Sequence, residues 1–315
     1  MARLRIVFMG TPELARVTLQ ALAAEDGFQI IAVVTQPDKP KGRDLKLGPS
    51  PVKEFALTRQ LPVIQPDRAR NDQFLIALRD LQPELVAVAA YGQILPPTIL
   101  DLPQFGCLNV HTSLLPKYRG AAPIQRAILN DEAETGVTIM KMDAGMDTGA
   151  IVAQERTPIR PQDTSETLHD RLAQIGAALL VRTIPDYVAG TLEPRPQPAE
   201  GATHAPKITK AEGLIDWNQP ARSIWNRVRG LVPWPGAYTR LLDKPAPPLI
   251  KIWDSAPVER QGSPGVILEI DDSGIMVGCA RDSLRILSLQ REGGRRLTAT
   301  QFQTGYSLKP GDRLG

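Results

Sequence analysis

The rhythm of apolar and polar positions changes near residue 190. Before that point, short apolar runs alternate with stretches whose apolar residues recur every three or four positions. The runs 4–9 (LRIVFM), 29–35 (QIIAVVT), 62–65 (PVIQ), 84–90 (ELVAVAA), 107–111 (CLNVH), 136–142 (GVTIMKM) and 150–155 (AIVAQE) are predicted strands. Helices are predicted over 12–24, 50–60, 71–81 and 122–130. A longer helix over 165–189 carries Leu168, Leu172, Ile175 and Leu179 on one stripe, with Ser165 or Thr164 capping its start. Near-continuous apolar strands joined by helices predict an α/β domain with a mainly parallel sheet covered on both faces.

From Thr191 to Thr209 the texture is different. TLEPRPQPAEGATHAPKIT holds four prolines and has neither helical nor strand period, so it reads as an extended linker. Beyond a helix near 219–231 come short alternating runs at 235–242, 249–255, 265–270, 274–280 and 283–290, parted by Gly, Pro and Asp. Five short strands at that spacing predict a small β-barrel of the OB type. The expected organisation is a domain over 1–190, a linker over 191–208 and a barrel domain over 209–315.

Composition narrows the class. With 315 residues, 23% charged and 42% hydrophobic, the chain is long enough for two ordinary globular domains. No apolar run approaches the roughly 18–20 residues that span a bilayer, and MARLRIVFMGTPELA lacks the long apolar core of a signal peptide. Two cysteines, Cys107 and Cys279, sit in apolar runs and fit no metal spacing, as expected of buried thiols in a reducing cytoplasm. With only three histidines, His111, His169 and His204, no metal site is expected. Charge is uneven: residues 205–315 hold 16 Lys+Arg against 11 Asp+Glu, so the remainder is slightly acidic. A basic last third suits a polyanionic partner or a solvated surface.

The chemistry concentrates in CLNVHTSLLPKYRGAAPIQR (107–126) and MDAGMDTG (142–149). Asn109 and His111 lie two apart at the end of a predicted strand, so both side chains leave one face. Ligands of open parallel sheets bind beyond the carboxyl ends of the strands. An amide, an imidazole and a carboxylate meeting there can hold an oxyanion, move a proton and orient the imidazole. Asp147 is favoured as the carboxylate because Thr148–Gly149 leads into the next strand, with Asp143 as the competing candidate. Small residues at 120–122 let backbone approach a ligand. Gly10-Thr11-Pro12 lacks the G-x-G-x-x-G pattern, so it is either a helix start or a source of backbone N–H groups, and a dinucleotide is not expected. Tyr91–Pro96 either lines a pocket or makes a simple turn. The loop 36–53, with Lys39, Lys41, Arg43, Lys46 and Lys53, is long enough to be functional, as a polyanion contact or a solvated excursion.

Taken together, MGTPE (9–13), TQPDKPKGR (35–43), AYGQILP (90–96), NVHTSLLPKYRGAAPIQRAI (109–128) and ETGVTIMKMDAGMDTG (134–149) resemble the methionyl-tRNA formyltransferases, a group within the folate-dependent formyltransferases. IDWNQPA (215–221) and WPGAY (234–238) extend the likeness over nearly the whole chain. The NVHTSLLP run and the D-T-G aspartate resemble all folate formyltransferases. The basic loop and the last domain point to the tRNA-acting group.

The resemblance implies a Rossmann-like formyltransferase core with an OB-like tail domain. It also implies transfer of a formyl group from 10-formyltetrahydrofolate to the α-amine of methionyl-initiator tRNA. It makes Asn109, His111 and Asp147 the catalytic set. Ser113, Leu114, Leu115 and Pro116 would contact the folate, with Tyr91, Gly92 and Ala144 near the pterin. Lys39, Lys41, Arg43 and Lys46 would meet the acceptor arm, and the barrel would bind the tRNA further down. No metal, no membrane and a monomeric chain are expected. Thr112 stands where relatives often carry Gly, a tolerable change. A folate enzyme formylating a small amine shares the core motifs, but would have no use for a basic barrel. A non-catalytic RNA-binding protein is disfavoured by the intact Asn–His–Asp set.

Overall fold

The structure, a computed structural model, describes residues 3–41, 46–242, 248–306 and 308–315. It divides into two compact units. The first comprises Met1–Pro123, Glu134–Pro158 and His169–Ala205; the second comprises Ile124–Ala133, Ile159–Leu168 and Pro206–Gly315.

In the first unit the strands and helices run β1 (Leu4–Gly10), α1 (Glu13–Ala23), β2 (Phe28–Val34), β3 (Lys39–Lys41), β4 (Lys46–Gly48), α2 (Pro51–Thr58), β5 (Val63–Ile64), α3 (Asp72–Asp80), β6 (Leu85–Ala89), α4 (Pro97–Leu100) and β7 (Cys107–His111). After α5 (Pro123–Leu129) the chain forms β8 (Glu134–Lys141), β9 (Ile151–Pro158) and α6 (Ser165–Val188). The sheet order is β5-β2-β1-β6-β7-β8-β9. Pairs from β5 to β7 are parallel; β8 and β9 are antiparallel. Every residue of β6 and β7 is buried, as strands covered on both faces require. Gly176 lets α6 lie against β7: a Cβ there would come within 2.7 Å of the Val110 side chain.

Sequence-level expectations meet the structure closely for these elements, with two additions. The basic loop contains the small antiparallel hairpin β3–β4, and α4 follows AYGQILP. The start of α6 is also decided. Thr164 Oγ1 accepts the Thr167 N–H at 3.2 Å, whereas the Ser165 hydroxyl donates to the Val232 carbonyl, so Thr164 is the cap. Leu168, Leu172 and Leu179 are buried and Ile175 is half-buried. The proline-rich stretch is hydrogen-bonded along much of its course to the first unit. Arg195 pairs with Ile151, and Thr203 and Ala205 pair with Arg119.

The second unit holds α7 (Ala221–Gly230), β10 (Ala237–Arg240), β11 (Leu249–Val258), β12 (Ile267–Asp271), β13 (Gly274–Gly278), β14 (Ser283–Arg291), β15 (Leu297–Thr298) and α8 (Ala299–Gly305). Its antiparallel sheet runs β10-β11-β14-β13-β12, with β15 beside β14. The last residues stitch the two edge strands: Arg240 and Gly315 exchange hydrogen bonds, Gly265 receives one from Leu314, and Ile267 receives one from Gly311. That closure removes the exposed edges and makes the sheet a small barrel. Its core includes Ile250, Ile252, Val277, Ile286 and Phe302. The guanidinium groups of Arg222 and Arg229 lie over the Trp225 ring, 4.6 and 4.2 Å from its centroid. Among the described residues no helix is long and apolar enough to cross a membrane.

Candidate active site

The site is built at the carboxyl end of β7. Strand alternation sends Asn109 and His111 to one face, and the register sets them beside Met140 and Thr138 of β8. Both side chains are nearly buried, at 9% and 6% exposure, so their polar atoms need partners or a ligand. His111 Nε2 lies 2.9 Å from the Tyr118 carbonyl. A carbonyl only accepts, so Nε2 carries a proton and Nδ1 is the nitrogen left for chemistry. Nδ1 stands 3.6 Å from Asp147 Oδ2.

That carboxylate is itself fixed, accepting the Gly120 N–H at 2.8 Å. Asp147 has φ +53°, a left-handed conformation that non-glycine residues adopt at a cost of about 1 kcal/mol. Gly120 has φ +119°, and a Cβ there would come 2.8 Å from the Ala205 carbonyl oxygen. Asp143 does different work. Its Oδ1 accepts the Gly145 N–H at 3.0 Å and the Thr148 hydroxyl at 2.7 Å, which shapes the loop.

Asn109, His111 and Asp147 share the wall of a cleft of about 520 Å³, wholly within the first unit. Leu14, Val88, Met140 and Met142 give it apolar surface; Ala90–Leu95 and Asp143–Asp147 also line it. Tyr91, Gly92 and Ala144 therefore lie on the cleft. The Tyr91 carbonyl accepts from Thr11 Oγ1 at 3.1 Å and Gln36 Nε2 at 2.9 Å. So Thr11, in the turn after β1, ties that turn to the loop after β6. The Tyr91 phenol is buried, finds no hydrogen-bond partner among the described residues, and burial pushes its pKa up to about 12.

Ser113, Leu114, Leu115 and Pro116 are not among the lining residues. They form a clamped turn instead. The Ser113 hydroxyl donates to the Lys117 carbonyl at 2.6 Å. Thr138 Oγ1 donates to the Ser113 carbonyl at 2.7 Å and accepts the Leu115 N–H at 3.1 Å, while Gln154 Nε2 donates to the Leu115 carbonyl. Leu114 and Pro116 are half-buried.

In the basic hairpin, Lys39 is exposed and donates to Gln36 Oε1. The backbone register pairs Lys41 with Lys46. Arg43 lies outside the described residues. Lys53 is held by Asp38 at 2.8 Å. Among the described residues no group of three His, Cys, Asp or Glu side chains is placed to hold a metal ion. Sequence reasoning missed the Tyr118 carbonyl and the Gly120 N–H, because backbone groups leave no residue-type signature.

Comparison with known proteins narrows the reading. Residues 4–184 match the formyl transferase family, and residues 207–307 match the formyl transferase C-terminal domain. The methionyl-tRNA formyltransferase of Aromatoleum aromaticum is 47% identical over 313 residues, covering 99% of this chain and 98% of that one. The chain belongs to the methionyl-tRNA formyltransferase family. Among solved structures, the N-formyltransferase from Helicobacter canadensis, in complex with folinic acid and dTDP-3-aminofucose, aligns with a TM-score of 0.65 at 20% identity, covering 92% of this chain and 100% of that one. HypX from Aquifex aeolicus in complex with tetrahydrofolic acid aligns with a TM-score of 0.61 at 17% identity; 96% of this chain matches 47% of that longer one. At such identities these two likenesses speak for the fold alone. For this member of the methionyl-tRNA formyltransferase family, the first matched region spans Asn109, His111 and Asp147, and the second spans α7 through β15.

Proposed function

We propose that the chain transfers the formyl group of 10-formyltetrahydrofolate to the α-amine of methionine esterified to initiator tRNA, giving N-formylmethionyl-tRNA for translation initiation. One observation carries this reading. An imidazole with one nitrogen locked on a carbonyl turns its other nitrogen toward a fixed carboxylate, beside a buried amide, on the wall of a cleft. The cleft fits a reduced pterin by its donor set: apolar walls for the ring faces, and backbone groups at Ala90–Gln93 and Asp143–Asp147 for its polar edge. When bound, the folate supplies the formyl group.

The residues act as follows. The neutral amine attacks the formyl carbon, and the bond from that carbon to the folate N10 breaks. The amine's proton passes through the lone pair at His111 Nδ1, forming a transient imidazolium, to N10, so the folate leaves as tetrahydrofolate. Asp147 then stabilises the cation and holds the ring. As the formyl oxygen gains charge, the Asn109 amide donates to it, and so does Nδ1–H once protonated. Losing one such donor typically costs about 10²–10³ in rate. No metal enters this scheme.

Tyr91, Gly92 and Ala144 are assigned to the pterin; the half-buried Leu114 and Pro116, with Ser113 and Leu115 behind them, are assigned to folate extending beyond the cleft. Lys39, Lys41, Arg43 and Lys46 are assigned to the tRNA. The basic sequence of the loop supports this, since clustered Lys and Arg attract a polyanion. In this reading residues 1–190 do the chemistry and 209–315, with their positive excess, engage RNA. The chain works as a monomer in the cytoplasm, where charged initiator tRNA is used.

The test is formylation of methionyl-tRNA by purified protein supplied with 10-formyltetrahydrofolate. His111→Ala and Asp147→Asn are expected to lower kcat by about 10²–10⁴, with tRNA affinity unchanged. Near-normal turnover of either variant would overturn the catalytic assignment. Formylation of a small amine in preference to methionyl-tRNA would overturn the substrate.

A further inference from the structure

We propose that Gln197 and Arg119 form a positioning pair that sets the height of Asp147 in the site. The proposal rests on the reading of Asp147 as a catalytic carboxylate. Gln197 sits in the proline-rich stretch, outside the strands and helices. Its side chain nevertheless reaches the loop that carries Asp147. Gln197 Nε2 donates to the Asp147 carbonyl at 2.8 Å and to the Gly149 carbonyl at 2.7 Å. Gln197 Oε1 accepts from Arg119 Nε at 3.0 Å and Nη2 at 2.7 Å.

These four bonds use both donors and both lone pairs of the amide. They also fix its orientation, because a guanidinium only donates and the two carbonyls only accept. Glutamate cannot replace it, having no donor for the carbonyls. Leucine has the shape and neither function.

The connection closes on itself. Arg119 precedes Gly120, whose N–H holds the Asp147 carboxylate. Asp147 is thus gripped at its carbonyl by Gln197, and at its carboxylate by the residue next to the arginine that grips Gln197. The stretch bearing Gln197 is pinned on either side of it. Arg195 and Ile151 exchange backbone bonds at 2.8 and 2.7 Å, and the Arg119 N–H reaches the Thr203 carbonyl at 2.9 Å. A left-handed residue such as Asp147 needs this external hold, since its own conformation is unfavourable. Gln197 acts through Asp147, so its loss should move the carboxylate relative to His111 Nδ1, with the Ala90–Gln93 side of the pterin surface left in place.

The experiment uses the full chain and compares Gln197→Leu, Gln197→Glu, Arg119→Lys, Asp147→Ala and the double variant Asp147→Ala/Gln197→Leu. Measured are kcat and both KM values, folate affinity by direct titration, and amide hydrogen exchange of the 143–149 loop. Misplacing a catalytic group by about 1 Å can cost about 10²-fold. Gln197→Leu and Gln197→Glu are therefore expected to lower kcat by roughly 10–100-fold, with the methionyl-tRNA KM unchanged, a smaller loss in folate affinity than in kcat, and exchange in 143–149 accelerated. Arg119→Lys, which keeps the charge but loses the two-nitrogen grip, should give a smaller loss of the same kind. The double variant should be no slower than Asp147→Ala alone.

Wild-type kcat in Gln197→Leu overturns the pairing. So does a double variant slower than Asp147→Ala by the full Gln197→Leu factor. If the wild-type chain formylates nothing, the functional reading fails, while unchanged exchange of 143–149 in Gln197→Leu would sink the positioning claim by itself.

Discussion

At the scale of single residues, the site depends on groups that residue type does not advertise. Asn109, His111 and Asp147 were legible because their side chains carry unusual chemistry and strand alternation puts the first two on one face. The Tyr118 carbonyl that settles the His111 tautomer, and the Gly120 N–H that fixes Asp147, belong to the backbone; only the folded chain brings them together. Likewise NVHTSLLP reads as one functional run, yet His111 lines the cleft while Ser113–Pro116 are tied down by Thr138 and Gln154 of β8 and β9. Gly120 offers a sharp test. Alanine there meets both a left-handed φ and a backbone oxygen at 2.8 Å. Gly120→Ala should cost about 1–3 kcal/mol of stability and lower kcat, because the N–H that holds Asp147 shifts with it. Denaturant unfolding alongside formylation kinetics checks both. Wild-type stability with wild-type turnover would show that the backbone relaxes without moving the carboxylate.

At the scale of elements, apolar periodicity located the buried strands and amphipathic helices because burial is what it encodes. It does not encode direction, so the antiparallel β8 and β9 at the edge of a parallel sheet were not readable. Nor does it register elements with too few buried positions. β3 and β4 are KPK and KLG, paired through their backbones. α8 spans only seven residues, of which Ala299 and Phe302 are buried. Its start was nonetheless written in the chain. Thr298 Oγ1 accepts the Gln301 N–H at 3.2 Å and Gln301 Oε1 accepts the Thr298 N–H at 3.1 Å, a reciprocal capping box. Thr298→Ala removes the first of these bonds and is expected to destabilise the second unit by about 1 kcal/mol. Urea titration followed by tryptophan fluorescence would read this, and formylation should be unaffected at saturating tRNA. An unchanged midpoint would mean that Phe302, packed in the core, positions α8 without the cap.

At the scale of the molecule, the chain does not fold as two consecutive pieces. Residues 124–133 and 159–168 belong with 206–315, although more than 35 residues separate them from it. Side chains explain why. Asp131 receives the Arg222 guanidinium and the Asn226 amide. Arg229 donates to the carbonyls of Arg160 and Asp163. Arg126 grips Glu212 with two nitrogens, at 2.5 and 3.2 Å. A proline-rich stretch looks like a clean boundary in the sequence, since composition records where regular structure stops and not which segments pack together. The Arg126–Glu212 pair makes the interlacing measurable through pH. The Arg126 hydrogen bond holds the Glu212 carboxyl below its ordinary range, against the smaller opposing effect of burial. A depressed folded-state pKa stabilises the fold above the unfolded value of about 4.3 and loses that contribution as pH falls through the folded value. Glu212→Gln should therefore melt at a lower temperature than the wild type at neutral pH, with the gap narrowing as the pH drops below about 4.3. Arg126→Met should reproduce the same profile, because it releases the same carboxylate from the other end. If Glu212→Gln alone destabilised and Arg126→Met did not, the Glu212 bonds to Thr209 would be the ones that matter, and residues 124–133 would contribute packing to the second unit but no charge-dependent stability.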